Sequence, residues 1–182
     1  MKTIKIKMGL MALLVLVAGY GLQAQDKTKK AALPNEQAWL QKFVGKWSGT
    51  AISTDDKNQS VKLLTHMSYS SVADGNGVYG VEYFDDPKAG KLRASYLMGY
   101  DPYDKKIHFY AVDNLGTCHD HDCTWKSPDT FYLENNSMRE GKAYKEEITI
   151  VFKDKNTIDF SETVYFGGIV IETDKGTLRK EK

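Results

Sequence analysis

The 182-residue sequence carries none of the linear signatures of common catalytic sites. It has no nucleophile elbow, no phosphate-cradling glycine loop and no paired-carboxylate motif. An enzymatic role therefore has no positive support at this level, although barrel sites assembled from distant strands leave no such trace. Long apolar runs are absent as well. The longest, Met8 to Ala18, falls short of the about 20 residues needed to cross a bilayer as a helix. There is little net charge: the formal balance is +1, with 25 basic and 24 acidic residues. A basic field of the kind that holds nucleic acid is missing. Only two cysteines are present, and both lie within six residues of each other. No fixed-period repeat, linker or second hydrophobic block interrupts the chain.

What is present begins with an address. Lys2, Lys5 and Lys7 precede the apolar run, and Leu22-Gln23-Ala24 offers a small residue for cleavage. This is the pattern of a secretory signal peptide over residues 1–24. No cysteine near the cleavage point invites lipid attachment. The Ala-Gln-Asp ending has a bacterial style, which implies the periplasm of a Gram-negative cell or secretion. Removal of residues 1–24 takes three lysines and no acid, so the charge falls to −2. Residues 25–33, with Lys27, Lys29 and Lys30 among Thr and Ala, read as a flexible leader.

Residues 34–182 form the expected domain. Trp39, Leu40, Phe43 and Val44 make one apolar stripe, with Pro34 before it and Gly45 after, and predict a short helix over 34–44. From Trp47 the period changes to two. About ten short alternating segments follow, separated by turn signals such as Asp74-Gly75-Asn76-Gly77 and Gly167-Gly168. Asn135 to Lys142 reads as the longest polar loop of the second half. Neighbouring hairpins predict an all-β, antiparallel, up-and-down barrel of about 8–10 strands. One face of each strand is apolar and the other rich in Lys and Glu, the reverse of a membrane barrel. No stable membrane insertion is expected.

The run Trp39-Leu40, Phe43-Val44-Gly45-Lys46-Trp47-Ser48-Gly49 resembles the opening of lipocalin-like (calycin) barrels. There a short helix plugs one end and a Gly-x-Trp begins strand one. With Met98-Gly99-Tyr100-Asp101-Pro102 and Asp113-Asn114-Leu115-Gly116, the chain resembles more closely the DUF1579 family of exported bacterial proteins. That resemblance implies a fold; the family's biochemistry is poorly defined. In lipocalins a late basic residue lies over the tryptophan, which implies Arg179 over Trp47 here. A fainter likeness links the chain to haem-binding nitrobindin barrels, which share the Trp-x-Gly opening and use a late histidine on the iron. No histidine occurs from Asn156 onward, which argues against haem in that geometry.

Cys118-His119-Asp120-His121-Asp122-Cys123 is the densest reactive cluster, and it reads as the tip of a hairpin. In an oxidising compartment Cys118 and Cys123 pair as a disulfide. The competing reading is a metal site, zinc above all, on His119, His121 and Asp120. Glu162 shares the apolar face of Ile158, Phe160, Val164 and Phe166, where a lone carboxylate is costly unless partnered. Arg93 and Arg139 are candidate partners. Ten tyrosines follow the leader; those in strands supply apolar contact with one polar handle. Tyr69, Tyr83, Tyr96 and Tyr110, with Phe160 and Glu162, are the candidate ligand-binding residues. The expected function is an exported carrier of a small hydrophobic or amphipathic molecule. The alternatives are metal capture at the 118–123 tip and a ligand-free accessory barrel.

Overall fold

A computed structural model describes residues 35–86 and 90–182. The expected signal peptide 1–24, the leader 25–33 and Pro34 lie outside the described residues. The helix forms over Asn35–Leu40 (α1) and tightens into one 3-10 turn, Gln41–Phe43. It stops where Gly45 takes a φ of +134°, open to glycine and closed to most other residues.

Ten strands follow: β1 (Gly45–Asp55), β2 (Ser60–Val72), β3 (Gly77–Asp86), β4 (Gly90–Asp101), β5 (Lys106–Asp113), β6 (Cys118–Ser127), β7 (Thr130–Arg139), β8 (Lys142–Asp154), β9 (Thr157–Phe166) and β10 (Ile169–Lys180). Each pairs antiparallel with its sequence neighbours, and β1 pairs with β10 from Trp47↔Lys180 to Asp55↔Glu172. Closure leaves no open strand edge among the described residues. The expected all-β, up-and-down barrel is the observed one.

Two segments differ from the sequence reading. Residues 118–123 are not a tip but the start of β6, and the turn lies earlier, at 114–117. The expected loop over 135–142 is strand: β7 and β8 stay paired down to Arg139↔Lys142, and only Glu140-Gly141 turn, both with positive φ. Near the barrel mouth both faces of these strands are polar, so alternation of hydrophobicity, the signal for a strand, fades there.

The helix closes one end. Phe43 lies at 5.4 Å from Tyr69, 5.5 Å from Phe131 and 4.9 Å from Phe152, centroid to centroid. Trp47 is fully buried beneath it, and its indole N–H donates to the Phe43 carbonyl at 2.7 Å. That bond gives the Gly-x-Trp opening a mechanical role, since it ties the plug to the first strand. Gln37 and Gln41 add hydrogen bonds to Asn76, Gly75 and Gly77 of the β2–β3 turn, and Lys42 reaches Asp129 at 2.7 Å. The cation over the Trp47 ring is Lys180, at 5.0 Å, and not Arg179. Leu178 points inward, so Arg179 points out and Lys180 in. At mid-barrel Gly80 has no side chain, which leaves room for the Tyr69 ring against the β3 backbone and lets Tyr69 and Tyr96 stack at 6.5 Å.

Candidate functional site

Between the plug and the hairpins that end β5 and β7, the barrel is hollow. The cavity has a volume of about 240 Å³. Its lower wall is apolar: Met67, Phe109, Leu133, Ile148, Ile150 and Phe160. Above them lies a polar layer set by alternation on each strand. Val78, Gly80, Glu82 and Phe84 share one side of β3. His119, His121, Cys123 and Trp125 share one side of β6. Tyr144, Glu146, Ile148, Ile150 and Phe152 share one side of β8, and Ile158, Phe160 and Glu162 one side of β9.

The polar layer is internally organised. The carboxylate of Glu146 meets two imidazoles: His119 Nδ1 at 3.2 Å and His121 Nε2 at 3.3 Å, both on Oε2. The two rings stack 5.8 Å apart and nearly parallel, as expected for residues i and i+2 on one face of a strand. Burial alone would raise the Glu146 pKa; the hydrogen bonds from His119, His121 and Glu162 overcome it and hold the carboxyl well below its usual range. The same contact raises the pKa of His119, against the opposing effect of burial. Glu162 goes the other way. Burial and the neighbouring Glu146 charge push it well above the carboxylate range, so it stands neutral and donates to Glu146. Glu82 accepts a hydrogen bond from the Tyr96 hydroxyl. Burial, with Asp174 adding, pushes it up to about 7 even so.

Of the residues singled out from sequence, Tyr69, Tyr96, Phe160 and Glu162 line the cavity with His119 and His121. Glu162 has a carboxylate neighbour rather than Arg93 or Arg139 as its partner; Arg139 instead lies 3.4 Å over the Tyr144 ring. Tyr83 and Tyr110 are not in the site. Val78 and Ile107 point inward and fix the phase of their strands, so positions 83 and 110 fall on the outer wall, 46% and 48% exposed. Asp120 also points outward, away from both histidines, because it lies between them on the strand. His66 and His108 are surface residues near Glu181 and Asp104.

The expected disulfide is absent, and geometry explains why. Cys118 and Cys123 are free thiols. They lie five residues apart in one extended strand, on opposite faces and about 16 Å apart by strand rise, where a bridge needs Cα atoms within about 7 Å. Native protein is therefore expected to show one thiol that reacts rapidly with a thiol reagent, the exposed Cys118. Cys123, its pKa raised by burial, reacts only on unfolding. An intact mass lighter by two hydrogens, with no titratable thiol in denaturant, would contradict this placement.

Glu82, Glu146, Asp113 and Asp174 did not emerge from the sequence reading. The signal that marked Glu162, an acid on the apolar side of an alternating strand, is present for Glu82 and Glu146 too. For Glu146 it is fainter, because on the inward face of β8 it stands between Tyr144 and Ile148, beyond the run Ile148, Ile150 and Phe152.

No family model and no curated relative matches this chain. Solved structures do resemble it. The S-type phycobiliprotein lyase CPES from Guillardia theta superposes with a TM-score of 0.58 at 12% identity, over 83% of this chain and 94% of that one. Rv2717c from M. tuberculosis gives 0.57 at 12% identity, over 82% and 99%. Identities this low establish a shared lipocalin-like barrel fold and leave the chemistry open.

Proposed function

We propose that this is an exported small-molecule-binding barrel, resident in the periplasm of a Gram-negative cell or secreted, that holds one amphipathic molecule in its lumen. The observation that carries this reading is the division of the cavity: an apolar floor below, a hydrogen-bonding acidic layer above. A ligand with an apolar body and a polar head fits that division. The volume sits just under the about 300–1,000 Å³ usual for ligand pockets, so the ligand is small. Carboxyl groups predominate among the ionisable lining residues, with Glu82, Asp113, Glu146, Glu162 and Asp174 against Arg93, His119 and His121. The polar head is therefore a hydrogen-bond donor or a cation. Export rests on the expected signal peptide over residues 1–24, and the likeness to the DUF1579 family fits an exported barrel of this type without naming a ligand.

The test uses two fluorescent probes on the mature protein, an alkylamine and the alkyl carboxylate of matched length. The amine is expected to bind at least tenfold tighter. Ala94→Trp, which places an indole in the lumen, is expected to abolish binding while leaving the far-UV circular dichroism unchanged. Equal uptake by Ala94→Trp, or a preference for the carboxylate, would count against the proposal. Failure of both probes on a folded wild-type protein would favour the ligand-free accessory barrel.

A further inference from the structure

We infer that His119, His121 and Glu146 form a site for one divalent metal ion of the zinc class, opening onto the lumen. The site is distinct from the sequence-derived set, in which Asp120 was the third ligand. It needs no organic ligand and does not depend on the carrier reading.

The donor set comes first. Two imidazole nitrogens and one carboxylate oxygen are ligands that zinc accepts at about 2.0–2.2 Å. Two donors bonded at that length to a tetrahedral centre lie about 3.3 Å apart. Here Glu146 Oε2 lies 3.2 Å from His119 Nδ1 and 3.3 Å from His121 Nε2, and the three donor atoms lie within 4.8 Å of one another. Small movements of the side chains would admit an ion at their centre.

The hydrogen-bond network around the donors points the same way. His119 Nε2 faces Thr117 Oγ1 at 3.0 Å and Asp113 Oδ2 at 3.6 Å. The Thr117 hydroxyl gives its own proton to Asp113, so its oxygen is left to accept from Nε2–H. Asp113 is fixed in turn by the backbone N–H groups of Leu115 at 2.8 Å and Thr117 at 3.0 Å. With its Nε2 turned to Thr117 and Asp113, His119 presents Nδ1 to the Glu146 carboxylate and to the space beside His121 Nε2. The arrangement of carboxylate, histidine and ligand centre is the one that supports ligating histidines in metal sites, where the outer partner sets the tautomer and orients the ring.

Access and an open position complete the argument. All three side chains line the cavity, yet they are shielded from bulk water, with side-chain exposures of 15%, 4% and 10% for His119, His121 and Glu146. Three protein ligands leave the fourth position of a tetrahedral ion facing the lumen, the arrangement of zinc sites that bind water or an exogenous ligand.

The experiment takes metal-free mature protein, adds Zn²⁺ alone, removes excess by gel filtration and measures bound metal. One ion per chain is expected. With Co²⁺ in its place, the visible spectrum is expected to be that of a nitrogen–oxygen site with no thiolate charge-transfer band. His121→Ala and Glu146→Gln should each weaken Zn²⁺ binding 100-fold or more, and Asp113→Asn about tenfold. Asp120→Asn and Cys118→Ser should leave it unchanged. Absence of uptake by the folded wild-type protein would overturn the inference, as would affinity that survives both His121→Ala and Glu146→Gln. So would loss of affinity on Cys118→Ser or Asp120→Asn. If the ligand variants do not fold, the wild-type Co²⁺ spectrum decides, and a thiolate band there overturns the assignment.

Discussion

Phe43→Ala is expected to destabilise the barrel by about 3–5 kcal/mol, the range for removing a fully buried phenylalanine. The ring is 2% exposed and touches Tyr69, Trp125, Phe131 and Phe152, side chains from β2, β6, β7 and β8. β6, β7 and β8 are adjacent and β2 lies across the barrel from them, so the hole left by the ring cannot be closed by one neighbour moving inward. The Trp47 indole N–H bonds the backbone carbonyl of residue 43, which alanine keeps, so the loss comes from the ring alone. A lower urea midpoint at an unchanged denaturant slope is the expected readout. A loss below about 1 kcal/mol would mean that the helix rests on the barrel without sealing it.

Glu82→Gln is expected to make the protein more stable at pH 8 and to remove part of its pH dependence. The Glu82 carboxyl titrates near pH 4.5 in the unfolded chain and is pushed up to about 7 in the fold, by burial first and by Asp174 in addition, against the hydrogen bond from Tyr96. Glu162 of β9 and Tyr69 of β2 face the same space. Because the folded state holds this proton more tightly, it binds more protons than the unfolded chain between the two values. Stability from this group is therefore complete below about pH 4.5 and is lost as pH rises to about 7. That interval is worth on the order of 3 kcal/mol. Glutamine has no proton to lose and still accepts from Tyr96. Urea titrations of both proteins at pH 4.5 and pH 8 check this, with the stability difference moving toward the variant as pH rises. A difference that is flat with pH, or that moves toward the wild type, would place Glu82 in contact with water.

Much of this architecture was legible because the strands alternate cleanly wherever one face is buried. Ile148, Ile150 and Phe152, or Ile158 and Phe160, can occupy only one face of a closed sheet, and the turns between such runs carry Asn, Asp and Gly. The helix was legible from Trp39, Leu40 and Phe43 before Gly45. Phase was harder. Tyr83 and Tyr110 are as apolar as Tyr69 and Tyr96, and only the inward positions of Val78 and Ile107 decide which pair enters the lumen. The same one-residue question moved the cation over Trp47 from Arg179 to Lys180. The 118–123 run failed for a different reason. A polar and reactive composition suggests a loop, yet an interior that carries its own polar layer accepts His119 and His121 on the inward face. The local pattern marks Glu146 as an acid on an inward face but not its pairing, because its partners come from β6, 25 and 27 residues away.

The central claim is that the lumen holds a small molecule between an apolar floor and an acidic layer. Native mass spectrometry of the protein isolated from its own cells without organic extraction tests it most directly. The expected spectrum shows one organic adduct per chain, released on denaturation and missing from Ala94→Trp. A native mass equal to the bare polypeptide, unchanged after incubation with an excess of an alkylamine, would contradict it.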